Sequence, residues 1–249
     1  MNQNIASQFD IIIYIVYHND ASYELIKQYE KYPYVKLIHI ATTKFFESII
    51  FRYLANNKNE WISKKYVGLL TYAFTRKLNM SLDTLYTNLV NLLGNNDYDL
   101  VSLFQGAGKY YAKPLTCNFH PNNKQIFDYV LPKVGFKTPI RYNLIHGFYC
   151  NYWITKSVWM EKYIDFALAV MDILSDPKDI YLQKLVNGSA RYRAGNLTSV
   201  QLIKMFNLPH YPNHPFIMER LPSLYFWEQG FVKIGNSKTG FGLYRKTSQ

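Results

Sequence analysis

Acidic residues are scarce in this chain: 17 Asp and Glu stand against 28 Lys and Arg, giving a formal net charge of +11 over 249 residues. Only 18% of residues are charged, so the basicity comes from missing acids more than from dense lysine runs. No block of about five or six like charges occurs, which excludes a histone-like tail and points to phosphates or acidic glycans as partners. Cysteine is scarcer still. The two cysteines, Cys117 and Cys150, have neither disulfide-framework nor metal-ligand spacing, so a reducing compartment is expected. Long hydrophobic runs are missing too. The stretch Ile11–Tyr17 is too short to span a bilayer, no later run reaches about 18 apolar residues, and no basic segment precedes the first one. The chain therefore reads as cytoplasmic, with no membrane span. The triplets at Asn79, Asn187 and Asn196 match a glycosylation acceptor by letter and are read as chance in an Asn-rich chain.

What is present is apolar and aromatic. At 49% hydrophobic, the chain is long enough for one substantial core, and a single domain over residues 1–249 is expected. Aromatics make up 17%, with 23 Tyr. Such rings fill cores and also offer sugars an apolar face with a polar tip.

Ile11–Tyr17 is continuously apolar, as in a strand buried on both faces of a parallel sheet, and ends at His18-Asn19-Asp20. A helical pattern through Tyr23, Leu25, Ile26 and Tyr29 leads to a second strand, 35–40, giving a βαβ unit. A helix over 45–57 and a strand over 66–72 follow. Further on, the spacing predicts a helix over 81–93 capped by Ser81, a strand over 100–104, a short helix over 126–130 and a strand over 148–154. Helices are then predicted over 156–174, 180–185 and 199–206. The glycine-rich, basic stretch 233–246 reads as a hairpin or a lid over a phosphate. The expected fold is α/β, one domain with a mostly parallel central sheet flanked by helices.

Ligands of open α/β sheets bind outside the carboxyl ends of the strands. Those ends here carry Tyr17, His18, Asn19 and Asp20; Thr42 and Lys44; and Thr71, Tyr72 and Ala73. The acceptor oxygens of Asn19 and Asp20 suit a nucleoside, with an ordinary turn as the plain alternative.

Four blocks, in this order, resemble the bacterial capsular and lipopolysaccharide glycosyltransferases and their relatives in large algal viruses. They are Phe46-Glu-Ser-Ile-Ile-Phe-Arg-Tyr-Leu-Ala-Asn-Asn57, Tyr66-Val-Gly-Leu-Leu-Thr-Tyr-Ala-Phe-Thr-Arg76, Phe148-Tyr-Cys-Asn-Tyr-Trp-Ile-Thr-Lys156 and Phe216-Ile-Met-Glu-Arg-Leu221. The sequence departs from the bacterial pattern at Thr71 and Ala73, where His and Arg would stand. The resemblance implies a GT-A-like fold, with a nucleotide-sugar-binding half over 1–115 and an acceptor-binding half with a basic tail over 116–249. Within the chlorovirus-type members it implies an inverting transfer of xylose from UDP-xylose to a hydroxyl of a capsid-protein N-glycan, in the cytoplasm of an infected cell. In GT-A enzymes an Asp-x-Asp motif ends the strand that corresponds to 66–72, and the matching positions here are Thr71 and Ala73.

Such a transfer needs a base near the acceptor hydroxyl, positive charge for the leaving diphosphate, and a scaffold that aligns them. With a divalent metal possible but no cofactor required, the cations read as diphosphate ligands are Lys44, Arg52, Lys238 and Arg245. Asp97-Tyr98-Asp99 matches Asp-x-Asp by letter but precedes a strand, so a solvated turn is the stronger reading and no metal ligand is assigned. Ala73 is read as the replacement of an aspartate base; the alternative is a naturally small residue that admits a sugar. Glu219 is a sugar contact or the base itself. His146, Asn151, Trp153, His210, His214 and Arg220 are read as acceptor contacts, with Tyr152 beside them. The competing class is a glycan- or nucleic-acid-binding protein without catalysis. Nucleic acid is disfavoured because the basic residues are dispersed and do not alternate with aromatics on one surface.

Overall fold

The structure is a computed structural model that describes residues 9–247 apart from residues 42, 104–119, 138, 143–144, 149 and 193–196. Thr42, Phe104, Cys117 and Asn196 therefore lie outside the described residues. Seven strands form one open sheet in the order β2-β1-β3-β5-β4-β7-β6. They are β1 (Ile11–Tyr17), β2 (Val35–His39), β3 (Tyr66–Thr71), β4 (Leu100–Ser102), β5 (Trp153–Lys156), β6 (Phe231–Asn236) and β7 (Gly242–Lys246).

The expected parallel unit is there: β1 pairs in parallel with β2 on one side and with β3 on the other. The expectation of a mostly parallel sheet is corrected. β5 is antiparallel to both β3 and β4, β7 is antiparallel to β4, and β6 to β7. Two connections cause this. The chain returns through 150–152 to insert β5 between β3 and β4, and the C-terminal stretch folds as a hairpin that adds β7 and β6 beyond β4. The second of these also corrects the lid reading of 233–246, because that stretch extends the sheet.

β1 shows why a strand can be apolar throughout. Ile12, Tyr14 and Val16 enter one core and Ile11, Ile13 and Ile15 the other, on opposite faces of the sheet. Each fully buried Ile or Leu contributes roughly 1.5–3 kcal/mol relative to exposure. The first core packs against α2 (Ile50–Asn56), α5 (Asn123–Val130), α6 (Ser157–Ser175), α7 (Ile180–Val186) and α9 (His214–Glu228). The second packs against α3 (Phe74–Leu78) and α4 (Leu82–Gly94). Ser81 caps α4, accepting from the Thr84 N–H at 3.1 Å. Among the described residues the other α-helices are α1 (Asp20–Glu24) and α8 (Ser199–Phe206).

Two elements differ from expectation for local reasons. β5 begins at Trp153, five residues later than predicted, because Cys150 and Asn151 take left-handed backbone (φ 62° and 55°), which breaks an extended chain. The helix α9 was not expected. It is buried on almost every side and so has no polar stripe, and it carries Pro215 in its first turn and Pro222 inside.

Candidate active site

The chain passes from β1 to β2 on one side, then crosses back to β3 on the other. The crevice outside the carboxyl ends of β1 and β3 is therefore the point where the topology reverses, the place where open α/β sheets bind ligands. His18 leaves the end of β1 and meets the ring of Tyr72, from the end of β3, edge-on at 6.0 Å. Its Nε2 lies 3.9 Å from Glu47 Oε1. Glu47 sits in a short 3-10 turn, Phe46–Ile49, that starts with Phe46 at φ 48°.

The 150–152 segment closes the crevice from the β5 side. The Cys150 N–H donates to Glu219 Oε1 at 2.8 Å, bringing the α9 carboxylate in. Asn151 Nδ2 donates to Ser48 Oγ at 3.2 Å, tying this segment to the turn that carries Glu47. The Tyr152 and Thr71 hydroxyls are hydrogen-bonded at 2.5 Å. Phe46, Cys150 and Asn151, all with positive φ, thus flank one crevice, and such strain persists where surrounding contacts over-determine it.

Lys77 completes the group from α3, its Nζ 5.5 Å from the Tyr152 ring centroid. The residue is exposed to solvent; the packing around it works against its charge, yet its pKa is raised by Cys150, Tyr152, Glu47 and Glu219. Cys150 is itself pushed up to about 11 by burial, and Tyr152 is raised beyond the ordinary phenol value for the same reason. Both are neutral near pH 7, where Lys77 is protonated as any lysine is. Burial opposes the charge on Glu47 as well, but His18 at 3.9 Å, the local backbone and, least of these, the field of Lys77 keep its carboxyl below the usual value.

Deeper in, Arg220 is 7% exposed, donating to the Phe216 carbonyl at 2.9 Å and lying 3.5 Å from Glu219 Oε2. His120 stacks on Phe216 with ring centroids 4.0 Å apart, and its Nδ1 donates to the Ala190 carbonyl at 2.7 Å. Burial, reinforced by Arg220, lowers the His120 pKa to about 4, so the ring is neutral and that bond fixes its tautomer. Tyr192 rests on the other side, 5.0 Å from Phe216.

The residues singled out in the sequence fall into three groups. Tyr17, His18, Thr71, Tyr72, Ala73, Asn151, Glu219 and Arg220 lie at or beside this crevice. Ala73 is the N-cap of α3 and accepts the Lys77 N–H, so positions 73 and 77 share a helix face. Asn19 and Asp20 are also there, but Asn19 Oδ1 accepts the Ser22 N–H in a capping box and Asp20 opens α1 at the surface. Lys44 stands beside the fully buried His214, whose pKa burial lowers to about 3.

The third group is elsewhere. Arg52 pairs with Asp172 at 2.9 Å on the surface. Arg245 is exposed over Tyr98, towards the opposite end of the sheet. Lys238, in the β6–β7 turn, is on the same edge as His18 but four strand spacings away, about 20 Å. Trp153 is fully buried against Tyr163 and Phe226, which leaves no face for a ligand. His210 Nε2 bonds the Asn187 carbonyl at 2.9 Å. His146 borders a separate pocket. Asp97 and Asp99 both pair with Lys156, at 2.8 and 2.9 Å, at the start of β4, which supports the structural reading of that motif.

Glu47, Lys77 and His120 were not named from the sequence. Glu47 stood within a recognised block, off the apolar stripe, and Lys77 lies one helical turn past the Ala73 strand end, so extending the strand-end rule by one turn would have reached it. His120 had no signal: it arrives from a distant segment. Among the described residues no group of three or more His, Cys, Asp or Glu is arranged to hold a metal ion, and no helix is long and apolar enough to cross a membrane. In comparisons with family models, curated proteins and solved structures, nothing matches this chain.

Proposed function

We propose that the chain is a glycosyltransferase of GT-A type that takes a nucleotide diphosphate sugar, by resemblance UDP-xylose, and transfers the sugar to a glycan hydroxyl. The observation that supports this reading is the position of Lys77, a cation whose Nζ lies over the Tyr152 ring, in the field of Glu47 and Glu219, at the switch point of the sheet. In an inverting transfer the acceptor oxygen attacks the anomeric carbon, the bond from that carbon to the diphosphate oxygen breaks, and the nucleoside diphosphate leaves with the electron pair. Lys77 neutralises the charge that develops on the leaving group. Glu219, aimed by the Cys150 N–H, accepts the proton of the acceptor hydroxyl. An aspartate at position 73 would sit on the same face of α3 as Lys77 and share that task.

The test is calorimetric titration of UDP, UDP-xylose, UDP-glucose and UDP-galactose, with and without manganese, on the chain and on Lys77→Met, followed by turnover assays on the chain and on Ala73→Asp. UDP-xylose binding that Lys77→Met weakens about 10- to 100-fold supports the reading. Absence of binding by every UDP-sugar overturns it.

A further inference from the structure

Beyond the crevice, a second cavity of about 270 Å³ lies between α9 and the β6–β7 hairpin. Its walls are rings: Phe148, Phe226, Trp227, Phe231 and Tyr244. Three polar side chains join them, His146, Ser223 and Lys233. A core void would be lined by aliphatic groups and stay dry; rings mixed with a hydroxyl, an imidazole and an ammonium suit a ligand with both an apolar face and hydroxyls. Drug-sized ligands occupy about 300–1,000 Å³, so this cavity takes one ring and not a whole nucleotide sugar.

Its placement connects it to the crevice. The Ser223 hydroxyl accepts the Phe148 N–H at 2.7 Å, one helical turn along α9 from the point where Glu219 accepts the Cys150 N–H. Phe148 and Cys150 thus both bond to α9, with His146 and Phe148 bordering the pocket and Cys150 the crevice. At 1.5 Å per residue, Ser223 lies about 6 Å and Trp227 about 12 Å from Glu219 along the helix. Lys233 is a further oddity. On the edge strand β6, Phe231, Val232 and Lys233 all line the pocket, although Val232, like Ile234, is exposed, and the ladder slips between Lys233 and Gly235. Bulges of this kind re-aim a side chain. An inward lysine also blunts a sheet edge, but that task does not require surrounding rings.

We infer that the pocket formed by Trp227, Tyr244, Lys233 and His146 is a sugar subsite, holding one ring of the acceptor glycan one or two residues from the hydroxyl that receives the transferred sugar. The ring stacks on the aromatic wall and its hydroxyls meet Lys233, His146 and Ser223. The assignment of this ring to an acceptor rests on the transferase reading; the sugar-binding assignment does not.

The experiment is saturation-transfer NMR with methyl glycosides of xylose, glucose, galactose, mannose, fucose and rhamnose, in the absence of nucleotide. The intact chain is compared with Trp227→Leu and Lys233→Ala, each checked for an unchanged melting transition, and UDP-xylose affinity is measured in parallel. At least one glycoside is expected to bind, with affinity lowered about tenfold by Trp227→Leu as its stacking surface is lost, while UDP-xylose affinity is unchanged. Lys233→Ala is expected to weaken the same glycoside. If Trp227→Leu loses its fold, Lys233→Ala alone decides. Absence of binding by every glycoside, or binding indifferent to the substitution, overturns the subsite. A glycoside that binds here while no UDP-sugar binds anywhere leaves the sugar site standing and removes the transferase.

Discussion

His18 Nε2 stands 3.9 Å from Glu47 Oε1, joining the end of β1 to the turn after β2. Glu47 is 29% exposed at its side chain, and its carboxyl pKa is held below the ordinary 4.5 against the pull of burial. A depressed carboxylate pKa stabilises the fold fully above the ordinary value, and that contribution is lost as pH falls through the lower folded-state value. Glu47→Gln is therefore expected to cost about 1 kcal/mol at pH 7 and less at pH 3. Urea unfolding at the two pH values measures this. An equal deficit at both would show that the charge of Glu47 is not what stabilises.

Lys77 should dominate nucleotide binding. Hydrogen bonds to charged groups are worth about 1.5–3 kcal/mol, so Lys77→Met is expected to weaken UDP binding by about 10- to 100-fold. Lys77→Arg keeps the charge and should retain much of it. Arg52→Met, which breaks only a surface pair with Asp172, should leave UDP affinity unaltered. A calorimetric series in which Arg52→Met and Lys77→Met lose affinity equally would remove Lys77 from its assigned role.

The parts of this molecule legible in the sequence are those that local pattern decides. Ile11–Tyr17 and Tyr66–Thr71 announce themselves as strands because both faces are buried, and their carboxyl ends delivered His18, Thr71, Tyr72 and Ala73 to the crevice. What was not legible depends on long-range return of the chain. The antiparallel insertion of β5 between β3 and β4 has no local signature, so the sheet was expected to be more parallel than it is. Trp153 was read with Asn151 and Tyr152 as framing the acceptor, but β5 is central to the sheet and covered on both faces, which buries Trp153. Charge alone misled as well. Arg52 and Arg245 are basic but point to Asp172 and Tyr98, whereas Lys77 stands over Tyr152 at the crevice.

Gly68 lies in the middle of β3, where a Cβ would stand 2.8 Å from Ile154 Cγ1 on β5 and 3.6 Å from Ile13 Cγ1 on β1. The three central strands approach only because that position has no side chain. Gly68→Ala is expected to destabilise by about 1–3 kcal/mol through overpacking. At this chain length that lowers the melting temperature by about 2–12 °C. Gly94→Ala, in helix α4 with nothing within 4 Å of the added atom, is the control and should be neutral or slightly stabilising.

Position 73 offers two readouts in one variant. Ala73 is the N-cap of α3 and makes no side-chain cap bond. An aspartate there can accept from the helix N-terminus and sits one turn from Lys77, so Ala73→Asp is expected to add up to about 1 kcal/mol of stability. Turnover of UDP-xylose should rise in the same variant, while Ala73→Asn gives the stability gain without the turnover. Equal turnover in the two variants would show that no base belongs at this position.

His120 and His214 make the fold sensitive to mild acid. Burial lowers their pKa from 6.5 to about 4 and about 3. Between 6.5 and those values the unfolded chain binds protons that the folded chain refuses, so stability rises with pH across this window and falls on acidification. Above pH 6.5 the slope from both residues dies away as the unfolded imidazoles lose their protons. His120 carries the larger functional consequence, because its neutral ring stacks on Phe216 beside Arg220 and charging it would set two cations together at the base of the crevice. His120→Gln keeps a group able to bond the Ala190 carbonyl. The variant is expected to lose stability at pH 7 but to show a shallower decline from pH 6.5 to 4.5, by about 1–2 kcal/mol over that interval. Denaturant midpoints at half-unit pH steps supply the measurement, and parallel acid limbs in the two proteins would mean that His120 is already charged in the fold or that its burial is incomplete.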